Sequence, residues 1–319
     1  MGKASSRLVC EKTIQHIYKR SSDNGVLFYR PIDHLVFYTI QSVCSRKHRV
    51  LVLATSHMYT HVHEALRVFD AAQLAAYERD TNSFFAREYN REVGRTGPVF
   101  DSPYGRAPKT NEKAIRSCLA YVFNNPVEKK LCRTAVADRW TFLAYYDGNY
   151  PFSRKPQISH ARMCLREAFR VVSHECSAGR YLCYALLHRL FAPLEPFEKE
   201  QLVDYIIQQY FFFTREECYR YFGSYRELVE AVNISTGSEF DVGEVFEPLS
   251  DIPYREMADL VTKHKMMGPG LPFLHLPDDR LRKLARYLTG QTGATDRQIA
   301  RFLHRIGGTG NAWGILRGE

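Results

Sequence analysis

From Thr13 to Asn125 the hydrophobic period of the chain switches repeatedly between two residues and about 3.6, and the order of these switches limits the fold more than anything else in it. In TIQHIYK (13–19), Ile14, His16 and Tyr18 alternate with Gln15 and Ile17, which predicts a strand. Ile32 to Val43 repeats apolar residues at helical spacing and runs into Arg46, Lys47 and Arg49, cations that suit a helix C-terminus. The apolar run Val50–Ala54 predicts a central strand, and Tyr59 to Val68 alternates again. Helical signals return over Ala71–Glu92, an extended stretch spans Val99–Arg106, and a further helix covers Glu112–Asn125, where Pro126 is expected to end or kink it. Strand, helix, strand, strand, helix, strand, helix is close to a ferredoxin-like sheet with an added helix.

Beyond the polar stretch GNYPFSRKPQIS (148–159) the pattern changes to helices rich in Tyr, Phe and Leu, as in LVDYIIQQYFFF. The expected class is α+β, an antiparallel sheet domain over 1–150 followed by an all-helical C-terminal region. That region divides into a helical domain of open role over 151–276 and a tail over 277–319. The tail predicts two helices, Pro277–Thr289 and Ala294–Ile306, around GQTG, the outline of a helix-turn-helix.

Charge follows this division. Residues 1–150 carry 22 Lys and Arg against 14 Asp and Glu, residues 151–279 carry 14 against 19, and residues 280–319 carry 8 against 2. Basic ends around an acidic middle point to a polyanion, because neutralising phosphates releases their counterions. No apolar run approaches the roughly 18–20 residues of a membrane span, so no membrane partner is expected. The eight cysteines include no CxxC pair, which excludes a zinc ribbon or dithiol site and suits reduced thiols in a cytoplasmic protein.

The chemistry is concentrated in two short motifs. In His61-Val62-His63, residues i and i+2 of a strand point to one side, so two imidazoles converge. Tyr121 and Asn125 lie four residues apart on one face of the predicted helix, so a phenol and an amide project together. Two imidazoles and an amide oxygen form an incomplete ligand set that leaves positions for phosphate oxygens and water, and a phenol beside such a metal can attack a phosphodiester. His57 competes as a ligand, since 57, 61 and 63 share parity on an unbroken strand. Tyr89, Tyr104 and Tyr145 are rival nucleophiles without an Asn-Pro one turn later, and His16 is either a neighbour of the site or a packed histidine.

At these residues the chain resembles the REP-associated tyrosine transposases, a branch of the single-tyrosine HUH transposases. The resemblance runs from about Ile14 to Tyr146 and rests on HVH (61–63), FFAREYNREVGRTGPVFDSPYGR (84–106), YVFNNPVEKKL (121–131) and Trp140-Thr141-Phe142. It implies an HUH endonuclease domain in which His61, His63 and Asn125 hold Mg2+ or Mn2+ and Tyr121 attacks the scissile phosphate. It also implies a single-stranded, hairpin-forming DNA substrate, a 5′-phosphotyrosine intermediate and a bacterial, nucleoid-associated setting, with a homodimer left open. The expected DNA contacts are Arg95, Arg106, Lys109, Lys129 and Lys130, joined on the tail by Arg297, Arg301 and Arg305. The chain departs from the family at Ser56–Thr60, at Glu64, where an apolar residue is usual, and at Pro103-Tyr104, where the family has Arg-Tyr. Two other readings stand beside the transposase: a domesticated sequence-specific DNA-binding protein that does not cleave, and a metal-dependent phosphodiesterase that would not need Tyr121.

Overall fold

The computed structural model describes residue 9 and residues 13–22, 24–102, 104–234 and 250–305. The elements of the first half follow the predicted order: β1 (Ile14–Arg20), α1 (Pro31–His48), β2 (Leu51–His57), β3 (His61–Arg67), α2 (Ala71–Val93), β4 (Gly105–Lys109) and α3 (Glu112–Glu128). The strands form one sheet in the order β2-β3-β1-β4, with every neighbouring pair antiparallel. Helix α1 carries the chain from β1 past β3 to the outer strand β2, and α2 carries it from β3 to β4 on the far side of β1. The protein is therefore α+β, with a helical second half: α4 (Met163–Ser177), α5 (Tyr184–Phe191), α6 (Pro196–Gln209), α7 (Arg215–Phe222), α8 (Tyr225–Ile234), α9 (Ile252–Lys263), α10 (Asp278–Thr292) and α11 (Asp296–Phe302). Among the described residues no helix is long and apolar enough to cross a membrane, and the described cysteines are free thiols.

Register fixes the two faces of the sheet. Tyr18 pairs with His63 and Arg20 with His61, so His16, Tyr18, His61 and His63 share one face. The other face carries Lys19 and Glu64, which point toward α1 and α2. There Lys19, fully buried, bridges Glu64 and Glu78 of α2, the latter at 3.1 Å. Gln41 Nε2 donates to Glu64 Oε1 at 2.9 Å, and the Tyr77 hydroxyl donates to the same oxygen at 2.7 Å. This network gives the unusual Glu64 its purpose: it neutralises an ammonium that burial would otherwise make costly. Burial opposes the charge of Lys19, but Glu64 and Glu78 outweigh it and hold its pKa above the ordinary lysine value. Burial pushes the Glu78 carboxyl up to about 7 against the pull of Lys19.

Three boundaries differ from the sequence expectation. The last strand is Gly105–Lys109, not Val99–Arg106, because Val99 and Phe100 are drawn into the core, where Phe100 packs on Phe37 and Phe85. Pro126 neither ends α3 nor keeps it from reaching Glu128. It sits in the last turn, where its missing N–H costs one ladder bond, while Lys129 N still donates to Asn125 O at 3.0 Å and Leu131 N to Pro126 O at 2.8 Å. The final helix stops at Phe302. His304 adopts φ 52°, and Arg305 N reaches back to Ala300 O at 2.9 Å, a closure that ends a helix. Ile306 and residues 307–319 of the expected tail lie outside the described residues.

The tail helices are packed against the first half. The Tyr29 hydroxyl donates to Phe302 O at 2.6 Å, Val26 N donates to Arg301 O at 3.1 Å, and Phe302 stacks on Phe273 and meets Tyr29 edge-on. Burying Ile299, Phe302 and Leu303 in this contact is worth roughly 1.5–3 kcal/mol for each side chain.

Candidate active site

Helix α3 lies over the face of the sheet that carries the histidine pair. Asn111 caps it by accepting from Ala114 N at 2.9 Å, and Ile115, Cys118, Leu119 and Val122 bury its apolar side. That docking brings the Tyr121 ring to 5.3 Å from the His63 ring and 5.8 Å from the His16 ring, centroid to centroid, both edge-on. One turn later Asn125 faces His61, whose imidazole it contacts. The His61 and His63 rings are 5.1 Å apart and nearly perpendicular. Tyr121, Asn125, His61 and His63 are all buried. The structure thus brings together the four residues that the sequence singled out as nucleophile and ligands.

Burial governs the electrostatics of the site. It holds the His61 imidazole well below its ordinary pKa, reinforced by His63 and Lys129, and it lowers His63 to about 3 with Lys129 adding to the effect. His16 is lowered in the same way, by burial first and then by His63 and Lys109. All three rings are therefore neutral at physiological pH, the form in which imidazole ligates metals or accepts protons. His16 Nε2 and His63 Nδ1 are 3.0 Å apart, so one donates to the other.

The donor set fits a divalent ion held in an open site. Apart from their contact with each other, His61 Nε2 and both amide atoms of Asn125 are buried without a partner, so the site contains ligand atoms with unmet demand. Among the described residues no group of three or more His, Cys, Asp and Glu has metal-holding geometry. A site here would thus consist of two imidazoles and an amide oxygen, with its other positions left to oxygens from outside the chain.

The competing assignments separate cleanly. His57 pairs with Val62 and so takes the opposite face, where its Nε2 lies 2.8 Å from Gln41 Oε1 and its ring stacks on Phe28. Strand parity failed there because residues 58–60 turn the chain between β2 and β3. The Tyr89 hydroxyl donates to Val26 O at 2.8 Å and the Tyr145 hydroxyl to Asp204 Oδ1 at 2.6 Å, which ties both into the core. Tyr104 lies just before β4 and is half-buried.

The expected DNA contacts scatter. Lys109 and Lys129 are buried on the His16 side of the sheet, and Lys130 is exposed just beyond α3. Arg106 pairs with Ile17, which sends it to the face away from Tyr121. Arg95 is half-buried and donates to Pro98 O at 3.1 Å. On α11, Arg297 is exposed but Arg301 is 3% exposed, and Arg305 lies past the helix end. The three arginines expected to contact DNA thus do not share one exposed surface: Arg301 is buried where Arg297 is exposed.

The sequence left the role of His16 open and passed over Tyr18, whose ring lies 5.6 Å from His61 and 5.0 Å from His63. Parity alone places Tyr18 with His16. That β1 pairs with the His-Val-His strand is a tertiary fact that no local pattern contains.

No protein-family model and no curated protein matches the chain. A solved structure described as "Structure of the REP associates tyrosine transposase bound to a REP hairpin" aligns with it at a TM-score of 0.34 and 13% identity, over 44% of this chain and 81% of that one.

Proposed function

We propose that the chain is a metal-dependent single-strand DNA endonuclease and strand transferase that acts on hairpin-forming DNA through a tyrosine nucleophile. The observation that carries this reading is the meeting of two independent motifs on one sheet face: Tyr121 against His63, and Asn125 against His61. Core packing alone requires neither two buried neutral imidazoles nor an unpartnered amide beside a tyrosine. The order of elements and strands supports the ferredoxin-like HUH description, and the basic ends of the chain suit a nucleic-acid substrate.

In this reading His61, His63 and the amide oxygen of Asn125 hold the ion, Mg2+ or Mn2+. When bound, the ion supplies charge stabilisation at the oxygens of the scissile phosphate. Tyr121 attacks phosphorus: the bond to the phenol oxygen forms as the bond to the 3′ oxygen breaks. The 3′ oxygen leaves and is protonated to a free hydroxyl, and the 5′ phosphate stays on the tyrosine. The phenol loses its proton to solvent as it attacks, and His16, bonded to His63 Nδ1, holds that imidazole with its Nε2 left for the ion. The attack conserves the number of phosphoester bonds, so a second 3′-hydroxyl can reverse it without an energy source.

The test is incubation of the full chain with end-labelled single-stranded hairpin DNA and Mn2+. Cleavage that vanishes in Tyr121→Phe, with DNA affinity kept within a few-fold, is the expected result. Binding without cleavage under any metal would favour the recognition protein. Cleavage that survives Tyr121→Phe would favour the phosphodiesterase.

A further inference from the structure

Next to the turn between β2 and β3, on the side away from Tyr121, lies a cavity of about 280 Å3. Its walls come from the start of α1, the turns that follow α3, and α9. Tyr59, two residues before His61, contributes to it, and so do Leu131 and Cys132, which follow Lys129. The volume falls just below the roughly 300–1,000 Å3 of sites for drug-sized ligands, which limits the occupant to about one ring system.

The walls specify what kind of ring system. Trp140 stacks on His34 at 4.0 Å and 3°, and His34 stacks in turn on Phe28 at 4.5 Å. Trp140, His34, Phe28 and Tyr59 all line the cavity, and since His34 and Phe28 already stack on their neighbours, Trp140 and Tyr59 are the aromatic surfaces left for a flat occupant. His34 is 7% exposed, and its Nδ1 is buried without a hydrogen-bond partner. Burial, with His57 adding to it, lowers its pKa well below the ordinary value, so His34 is neutral. The charged lining consists of Asp138, Asp259, Arg255 and Arg30. Arg30 is committed to Asp33 and Glu92, at 2.7 and 2.9 Å. That leaves Asp138 and Asp259 against Arg255, so no surplus positive charge remains to hold an anion, and the lining favours a ligand that donates N–H groups to a carboxylate. The fitting ligand is thus planar, not anionic, and able both to donate and to accept hydrogen bonds.

That is the description of a nucleobase, and the presence of both Asp138 and Arg255 in the lining narrows it further. Asp138 Oδ1 accepts from Trp140 N at 2.8 Å, which fixes the carboxyl in place. Arg255 Nη1 donates to Leu131 O at 2.8 Å and keeps further N–H groups for a ligand. A carboxylate beside a guanidinium matches guanine, which offers adjacent N–H donors next to its O6 and N7 acceptors. We propose that this cavity is a binding slot for one unstacked guanine base, with Asp138 taking its N–H edge and Arg255 its acceptor edge. The slot deepens the single-strand DNA reading by giving it a base preference, but it does not depend on cleavage.

Equilibrium dialysis of the full chain with radiolabelled guanosine, an uncharged probe, tests the slot apart from phosphate chemistry. Saturable binding is expected, with guanosine competing at least ~10-fold better than inosine, adenosine or uridine, as suits one good bidentate contact. Arg255→Ala, a change at an exposed residue, should weaken guanosine by about tenfold. Asp138→Asn should lose guanosine and gain xanthosine, whose 2-oxo group accepts where the 2-amino group of guanine donates. This gain also shows that the variant is folded. Absence of guanosine binding, equal competition by adenosine and uridine, or indifference to both variants would overturn the proposal. Tyr121→Phe should keep guanosine binding, so loss of cleavage and loss of the slot are separable outcomes.

Discussion

Lowering the pH from 7.5 to 5 should unfold this protein, and the structure sets the slope. His16, His34, His57, His61 and His63 are buried, and burial holds each of them below its ordinary pKa. In the unfolded chain these imidazoles take up protons around pH 6.5, whereas in the fold they resist them. Their contribution is therefore complete above about pH 6.5 and is lost as the pH falls below it. Glu78, raised by burial to about 7, and Asp138, raised by burial to about 6, act in the opposite direction. Both keep a proton in the fold that the unfolded chain releases, and so offset about two of the five histidines. At pH 5 the unfolded chain holds about three more protons than the native one, a slope of about 4 kcal/mol per pH unit. Set against a total stability of roughly 5–15 kcal/mol, one pH unit below 6 removes a large fraction of it. Urea unfolding followed by circular dichroism at pH 7.5, 6 and 5 measures this directly. A stability at pH 5 within about 1 kcal/mol of that at pH 7.5 would refute the picture of five neutral imidazoles inside the fold.

Other perturbations probe other parts of the account. Lys19→Met leaves Glu64 and Glu78 buried without their cation and should cost about 3–5 kcal/mol in urea unfolding; a neutral effect would mean the network is not closed. Phe302→Ala removes the ring packed on Tyr29 and Phe273 and should cost about 3–5 kcal/mol, whereas a tail independent of the first half would lose far less. His61→Ala and His63→Ala should each weaken Mn2+ binding, read by calorimetry, by at least ~10-fold, while His57→Gln on the opposite face should leave it within about twofold; the reverse pattern would move the site.

The sequence carried the element order because hydrophobic period is a local property, and of β1 through α3 only β4, expected over Val99–Arg106 and found at Gly105–Lys109, lies away from where the pattern put it. It also carried the convergence of the four candidate residues, since strand parity and helical spacing are local geometries. What it lacked was register. His57 has the right parity but sits beyond a turn that reverses its face. Arg106 is basic and near a motif, but its pairing with Ile17 sends it to the far side of the sheet. The sequence pattern recorded Glu64 only as a departure, because its partner Lys19 lies on another strand and Glu78 on a helix. Arg301 was expected to contact DNA with Arg297 and Arg305 and is nevertheless buried, since packing rather than composition decides which residues of α11 meet solvent.

The central claim is that Tyr121 is the nucleophile, and the most direct test is the mass of the protein after reaction. The full chain is incubated with single-stranded hairpin DNA and Mn2+, denatured, digested with nuclease and protease, and its peptides are sequenced by mass spectrometry. The account predicts a nucleotide-derived phosphate on Tyr121 and none on Tyr18, Tyr89, Tyr104 or Tyr145, with the adduct absent in Tyr121→Phe. DNA cut without any modified tyrosine, or a modification on Tyr18 that persists in Tyr121→Phe, would contradict it.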